Sequence, residues 1–184
     1  IPLIPLYVKN LGSYETTEAV RWAGAMSATT CLALAFVQPV WGAMADRWGR
    51  KPMVLRSMLG SGATTFLMAF ATSPQQLLVI YAIQGLLAGT VAASTALVAS
   101  SVPKQQLGFA LGMLQVSIFV GTSFGPLGGG IVADAWGFRA AFVVAGSLLI
   151  IGAGVVNALV RENFVRPART AASDGMWAEG RSLL

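Results

Sequence analysis

Residues 42–51 read GAMADRWGRK. Asp46, Arg47, Arg50 and Lys51 place four charges within six residues, after a stretch from Trp22 to Ala45 that carries none. Charge clustered this tightly in a charge-poor chain marks a position where charge is tolerated between positions where it is not. The same pattern extends to both sides, with uncharged runs covering 22–45, 57–103, 105–133 and 140–160. The chain is 55% hydrophobic and 10% charged, with a mean hydropathy of +0.70, whereas soluble domains are about 25% charged. A helix needs about 20 apolar residues to cross a bilayer core. The runs at 22–45, 105–133 and 140–160 each hold one crossing. The run at 57–103 holds two, divided at Thr72-Ser73-Pro74-Gln75, a turn-forming cluster. Helices are therefore expected near 17–44, 53–71, 76–100, 105–133 and 139–160. The apolar stretch before Lys9 adds the end of a truncated first helix near 1–10.

The 184 residues include one cysteine and no histidine. An intramolecular disulfide and histidine-based metal or acid–base chemistry are thereby excluded. Cys31 falls within an apolar helix, where it is expected to pack as a small side chain. No nucleophile–base pair, metal cluster or phosphate loop is apparent, so the chain is not expected to be an enzyme, and no cofactor is implied. The net charge is +5, but the basic residues sit at helix ends. That distribution fits membrane orientation rather than a nucleic-acid partner.

Lys and Arg accumulate in cytoplasmic loops. Arg47, Arg50, Lys51, Arg56, Lys104 and four arginines beyond residue 160 fall on one side, nine in all; Lys9, Arg21 and Arg139 fall on the other. Segments 46–56, 101–107 and 161–184 are thus expected to be cytoplasmic, in a multi-pass inner or plasma membrane protein. Orientation alone requires neither an acid nor regularly spaced glycines in the 42–51 turn.

GAMADRWGRK also aligns with GIVADAWGFR at 130–139, matching in five of ten positions. The offset contains three crossings, which puts the two copies on opposite membrane sides. Two three-helix units of inverted topology are the expected arrangement.

The pattern G-x-x-x-D-R-x-G-R-K at 42–51 resembles the signature between the second and third helices of the major facilitator superfamily. IQGLLAG at 83–89 resembles its fourth-helix signature, although Tyr81 stands where an arginine is usual. GTSFGPLGGG at 121–130 resembles the fifth-helix glycine–proline motif of drug:proton antiporters. The resemblance runs along the whole chain and implies a six-helix half of such a bundle. Residues 1–160 would form its N-terminal transmembrane half and 161–184 the start of a central cytoplasmic loop. It further implies proton-coupled efflux of drugs or other amphipathic small molecules, with a lipid bilayer, protons and a C-terminal six-helix half as partners.

Within that frame, Gly42, Asp46, Arg47, Gly49, Arg50 and Lys51 form a candidate gating turn. Asp46 ends a helix whose dipole disfavours an anion there, so it should pair with Arg47 or Arg50. Tyr81, Gln84 and Gly85 are candidate cavity residues of the fourth helix. Gln115, Gly121, Gly125, Pro126, Gly129 and Gly130 form the antiporter-like motif, where small residues permit close helix approach and Pro126 bends the helix. No Asp or Glu lies inside a complete span, so a coupling carboxylate would come from elsewhere. Uptake of a metabolite by the same fold is the alternative function. A non-transporting scaffold would leave the Asp-Arg-x-Gly-Arg turn unexplained.

Overall fold

A computed structural model describes residues 4–11 and 15–160. The expected tail at 161–184 lies outside the described residues. Six α-helices follow one another: α1 (Ile4–Leu11), α2 (Thr16–Trp48), α3 (Arg50–Met68), α4 (Pro74–Leu87), α5 (Thr90–Ser101) and α6 (Leu107–Leu159), with a 3₁₀ turn at Lys104–Gln106 before α6. No strand occurs among the described residues. Among the described residues, three helical stretches are long and apolar enough to cross a membrane: Thr16–Trp48, Pro74–Ser101 and Lys104–Leu159. At 1.5 Å per residue the first is about 50 Å long, well over a bilayer core. The chain is a membrane protein, and its surface agrees: Phe36, Phe109, Phe119 and Trp136 are more than 60% exposed, a cost in water that disappears in lipid.

The helix boundaries differ from the sequence expectation in two ways. The turns are narrower than the segments assigned to them. Between α2 and α3 only Gly49 is non-helical, at φ 98° and ψ 161°, so Arg56 lies on a helix rather than in a loop. Between the expected fifth and sixth helices only Gly137 breaks the pattern, at φ 84° and ψ 163°, and α6 runs through it as two arms. These two glycines occupy the same column of the repeat found in sequence, 88 residues apart, and adopt nearly the same backbone geometry, positive φ with extended ψ. Positive φ is inexpensive only for glycine, which explains a Trp-Gly pair at both places.

The second difference is a break in the expected helix 76–100. Ala88 is extended and Gly89 takes φ 117°, separating α4 from α5. The α3–α4 turn lies where Thr72-Ser73-Pro74-Gln75 indicated. Ser73 caps α4 by accepting from the Gln76 amide at 3.3 Å, Pro74 occupies the first turn, and the Gln76 side chain accepts from Thr72 N at 2.9 Å. This is a reciprocal capping arrangement built from Ser-x-x-Gln.

Packing is densest where small residues permit it. A Cβ on Gly62 would lie 2.9 Å from Ile150 and 3.2 Å from the Gly146 carbonyl, and one on Gly146 would lie 2.9 Å from the Gly62 carbonyl. Thus α3 crosses the second arm of α6 backbone to backbone. Gly62 and Ile150 are themselves separated by the repeat offset, so the crossing point joins equivalent positions of the two copies. Beside the 69–73 turn, a cluster of Tyr7, Val8, Met26, Met68 and Leu77 ties α1 to α2, α3 and α4. The Tyr7 hydroxyl donates toward the carbonyls of Met68 (3.3 Å) and Ala71 (3.2 Å), groups that a helix end leaves without an intrahelical donor.

Candidate functional site

A cavity of about 720 Å³ opens between α2, α3, α4 and the two arms of α6, with Thr65 and Met68 of α3 and Ile4 of α1 among its lining. α2 contributes Ser27, Thr30 and Cys31, one helical face by their spacing. α4 contributes Tyr81 and Gln84, and the extended residue that follows it, Ala88, adds to the same wall. The first arm of α6 supplies Thr122, Gly125, Pro126 and Gly129, and the second arm supplies Phe138 and Phe142. The wall is largely apolar, dotted with hydroxyls and one amide. Such a surface holds an apolar body by dispersion and area burial and orients it through a few neutral hydrogen bonds.

Two contacts fix the α2–α4 side of the wall. Gly85 faces away from the cavity into α2, where a Cβ would come within 2.6 Å of the Thr30 carbonyl and 2.8 Å of Ala33 Cβ. The Thr30 hydroxyl lies 2.9 Å from Met26 O and 3.1 Å from Tyr81 O. It therefore bridges its own helix to α4 one turn before Gly85.

The sequence-derived residues fall into three groups. Tyr81 and Gln84 of α4, with Gly125, Pro126 and Gly129 of α6, line one cavity. Gly85 supports it from behind. Gln115 is exposed and is not part of the lining, and Gly121, Gly125 and Gly130 have nothing within 4 Å of a Cβ built on them. The close approach expected of that glycine stripe is therefore not made within the described residues, where the first arm of α6 has its backbone open. Sequence reasoning overlooked Ser27 and Thr30 because isolated Ser and Thr are ordinary in membrane helices. It placed Cys31 in packing, yet that thiol is exposed and lines the cavity.

The candidate gating turn lies apart from the cavity. Asp46 and Arg47 are exposed on the last turn of α2, and Gly42 is exposed on the turn before, with nothing within 4 Å of an added Cβ. Among the contacts of Arg50, Nη1 donates to Ala96 O of α5 at 2.7 Å; among those of Lys51, Nζ donates to Asn157 O near the end of α6 at 2.8 Å. The two cations after Gly49 thus reach from the start of α3 to the middle of α5 and the end of α6.

Comparison with known proteins places these features in a family. Two multidrug resistance proteins MdtG resemble the chain. The Klebsiella pneumoniae (strain 342) protein is 40% identical over 169 residues, covering 92% of this chain and 41% of the relative. The Escherichia coli (strain K12 / DH10B) protein is 40% identical over 164 residues, covering 89% and 40% respectively. The chain thus spans about two fifths of the length of these relatives. The model of the Major Facilitator Superfamily matches residues 1–183, and with an all-helical membrane bundle around a neutral cavity, the chain belongs to that superfamily.

Proposed function

We propose that this chain is the N-terminal half of a proton-coupled exporter of drugs or other amphipathic small molecules. Residues 1–160 form the transmembrane half and 161–184 begin the central cytoplasmic loop. The cavity carries the proposal: an uncharged, mostly apolar wall with Tyr81, Gln84, Ser27, Thr30 and Thr122 as neutral polar contacts suits compounds that are greasy along most of their surface. The relatives' designation as multidrug resistance proteins supports the direction of transport.

The matched turns at Gly49 and Gly137 support two inverted three-helix units, with the Gly49 turn on the cytoplasmic side of the inner membrane. In this scheme Asp46, Arg47, Gly49, Arg50 and Lys51 act as a latch that is made in one conformation of the transporter and broken in the other. In the same scheme the proton site is a carboxylate outside the uncharged runs 22–45, 57–103, 105–133 and 140–160.

The test uses the full-length protein in everted membrane vesicles. Wild type is expected to accumulate ethidium when a proton gradient is imposed and to lose it when the gradient is collapsed. Gln84→Leu and Tyr81→Phe are expected to alter the relative rates for a panel of amphipathic compounds without abolishing transport of all of them. Relative rates that match wild type across the panel for both variants would show that this wall does not select substrate.

A further inference from the structure

The break between α4 and α5 is held by two side chains that the transport scheme above does not use. Trp41 of α2 donates its indole N–H to Leu86 O at 2.8 Å. The Arg56 guanidinium lies over the Trp41 ring, 3.5 Å from its centroid, and its Nη2 reaches Ala88 O at 3.5 Å. Arg56 is six residues into α3, about 9 Å from the start of that helix. A cation inside a membrane bundle is costly and is functional by default. Three features lower that cost here. The indole face attracts the cation. The final turn of α4 carries carbonyls with no helical donor beyond it. The negative end of the α4 dipole points at the site.

The match is incomplete. Arg56 Nε and Nη1 are buried and have no hydrogen-bond partner among the described residues. A half-buried cation with two buried, unused donors at the end of a helix is a clamp that is only partly closed. The backbone it grips belongs to the turn whose side chains Gln84 and Ala88 face the cavity, and the break itself depends on Gly89 at φ 117°. We propose that Arg56 is a positioning residue: with Trp41 it clamps the broken end of α4, sets where Gln84 and Ala88 stand in the cavity wall, and tightens as the α4–α5 junction bends during transport. Because Arg56 shares α3 with Arg50 and Lys51, the clamp also joins the charged turn to the cavity through one short rigid helix. The consequence for the cavity rests on the proposed transport role; the clamp itself does not.

The test compares Arg56→Gln, Arg56→Lys and Trp41→Phe with wild type in the full-length protein reconstituted in lipid nanodiscs. Two quantities are measured: amide hydrogen exchange of peptides covering 84–93, with 60–68 as an internal control, and the dissociation constant for ethidium. Opening energies of local structure are read directly by exchange. Arg56→Gln is expected to speed exchange in 84–93 by about tenfold, leave 60–68 unchanged, and weaken ethidium binding in parallel. Arg56→Lys keeps the charge at the helix end but loses the flat stacking surface, so it should fall between wild type and Arg56→Gln. Trp41→Phe keeps a ring and loses the Leu86 hydrogen bond, and should exchange faster than wild type. Unchanged exchange in 84–93 for Arg56→Gln and Trp41→Phe would overturn the proposal. So would faster exchange with unaltered ethidium affinity, since the cavity wall would then be indifferent to the clamp. Failure of wild type to bind ethidium would count against the proposed transport role alone, because the exchange comparison stands without it.

Discussion

Asp46 is the residue at which two explanations of the charged turn separate. Membrane topology depends on Lys and Arg and is almost indifferent to Asp, so a turn that serves only to orient the chain gains nothing from an acid at a helix C-terminus, where the dipole opposes it. Asp46→Asn in the full-length protein is therefore expected to insert normally and to export slowly, with Arg47→Ala and Arg50→Ala similar and Lys51→Ala milder. Efflux normalised to the amount of protein in the membrane measures this, and a wild-type rate for Asp46→Asn would reduce the turn to an orientation signal. Gly85 offers a separate test on packing. A Cβ there meets backbone of α2 at 2.6 Å, an obstacle that no rotamer change removes. Gly85→Ala should cost about 1–3 kcal/mol by overpacking, seen as a lower melting temperature in detergent, whereas Gly42→Ala, with open space around it, should not.

At the level of elements, the long apolar stretches were legible, though not their division into five crossings, because the physics that selects them is one-dimensional. Charge is excluded from lipid, so its spacing along the chain outlines each crossing, and Ser73-Pro74 announced the start of α4 by capping chemistry alone. What the sequence concealed was local backbone geometry. Ala88-Gly89 sits in an uncharged run, and a glycine there is equally compatible with a continuous membrane helix; only the side chains that arrive from Trp41 and Arg56 make a break affordable. The cavity was half legible for a related reason. Gln84 stood out as an amide in an apolar run, while Thr30 and Ser27 could not be told from residues that merely bond their own helix. Gly89 holds a backbone region that other residues enter at about 1–2 kcal/mol. Gly89→Ala should therefore straighten or destabilise the α4–α5 junction, and faster exchange in 84–93 or a lowered melting temperature would report it. Unchanged values for both would mean the bend does not require the glycine.

For the whole molecule, the reading proposed above makes this chain one half of a rocking pair, and one half offers a single cavity wall. The chain alone is expected to insert into membranes yet fail to accumulate ethidium against a gradient in vesicles. Uphill accumulation by this chain by itself would mean that it assembles a working transporter from its own copies. The first arm of α6 carries a different kind of information. Gly108, Gly112, Gly121 and Gly128, none of them in the cavity lining, would each accept a methyl group without touching any described atom, so nothing within the described bundle objects to alanine there. Selection does not know which contacts a given chain supplies. If a library of Gly-to-Ala alleles of the full-length gene were grown under drug challenge, every allele from this set that dropped out would mark a spot where some other surface rests on bare backbone. The glycines that are idle here would then serve as a footprint, recording by survival counts the outline of a neighbour.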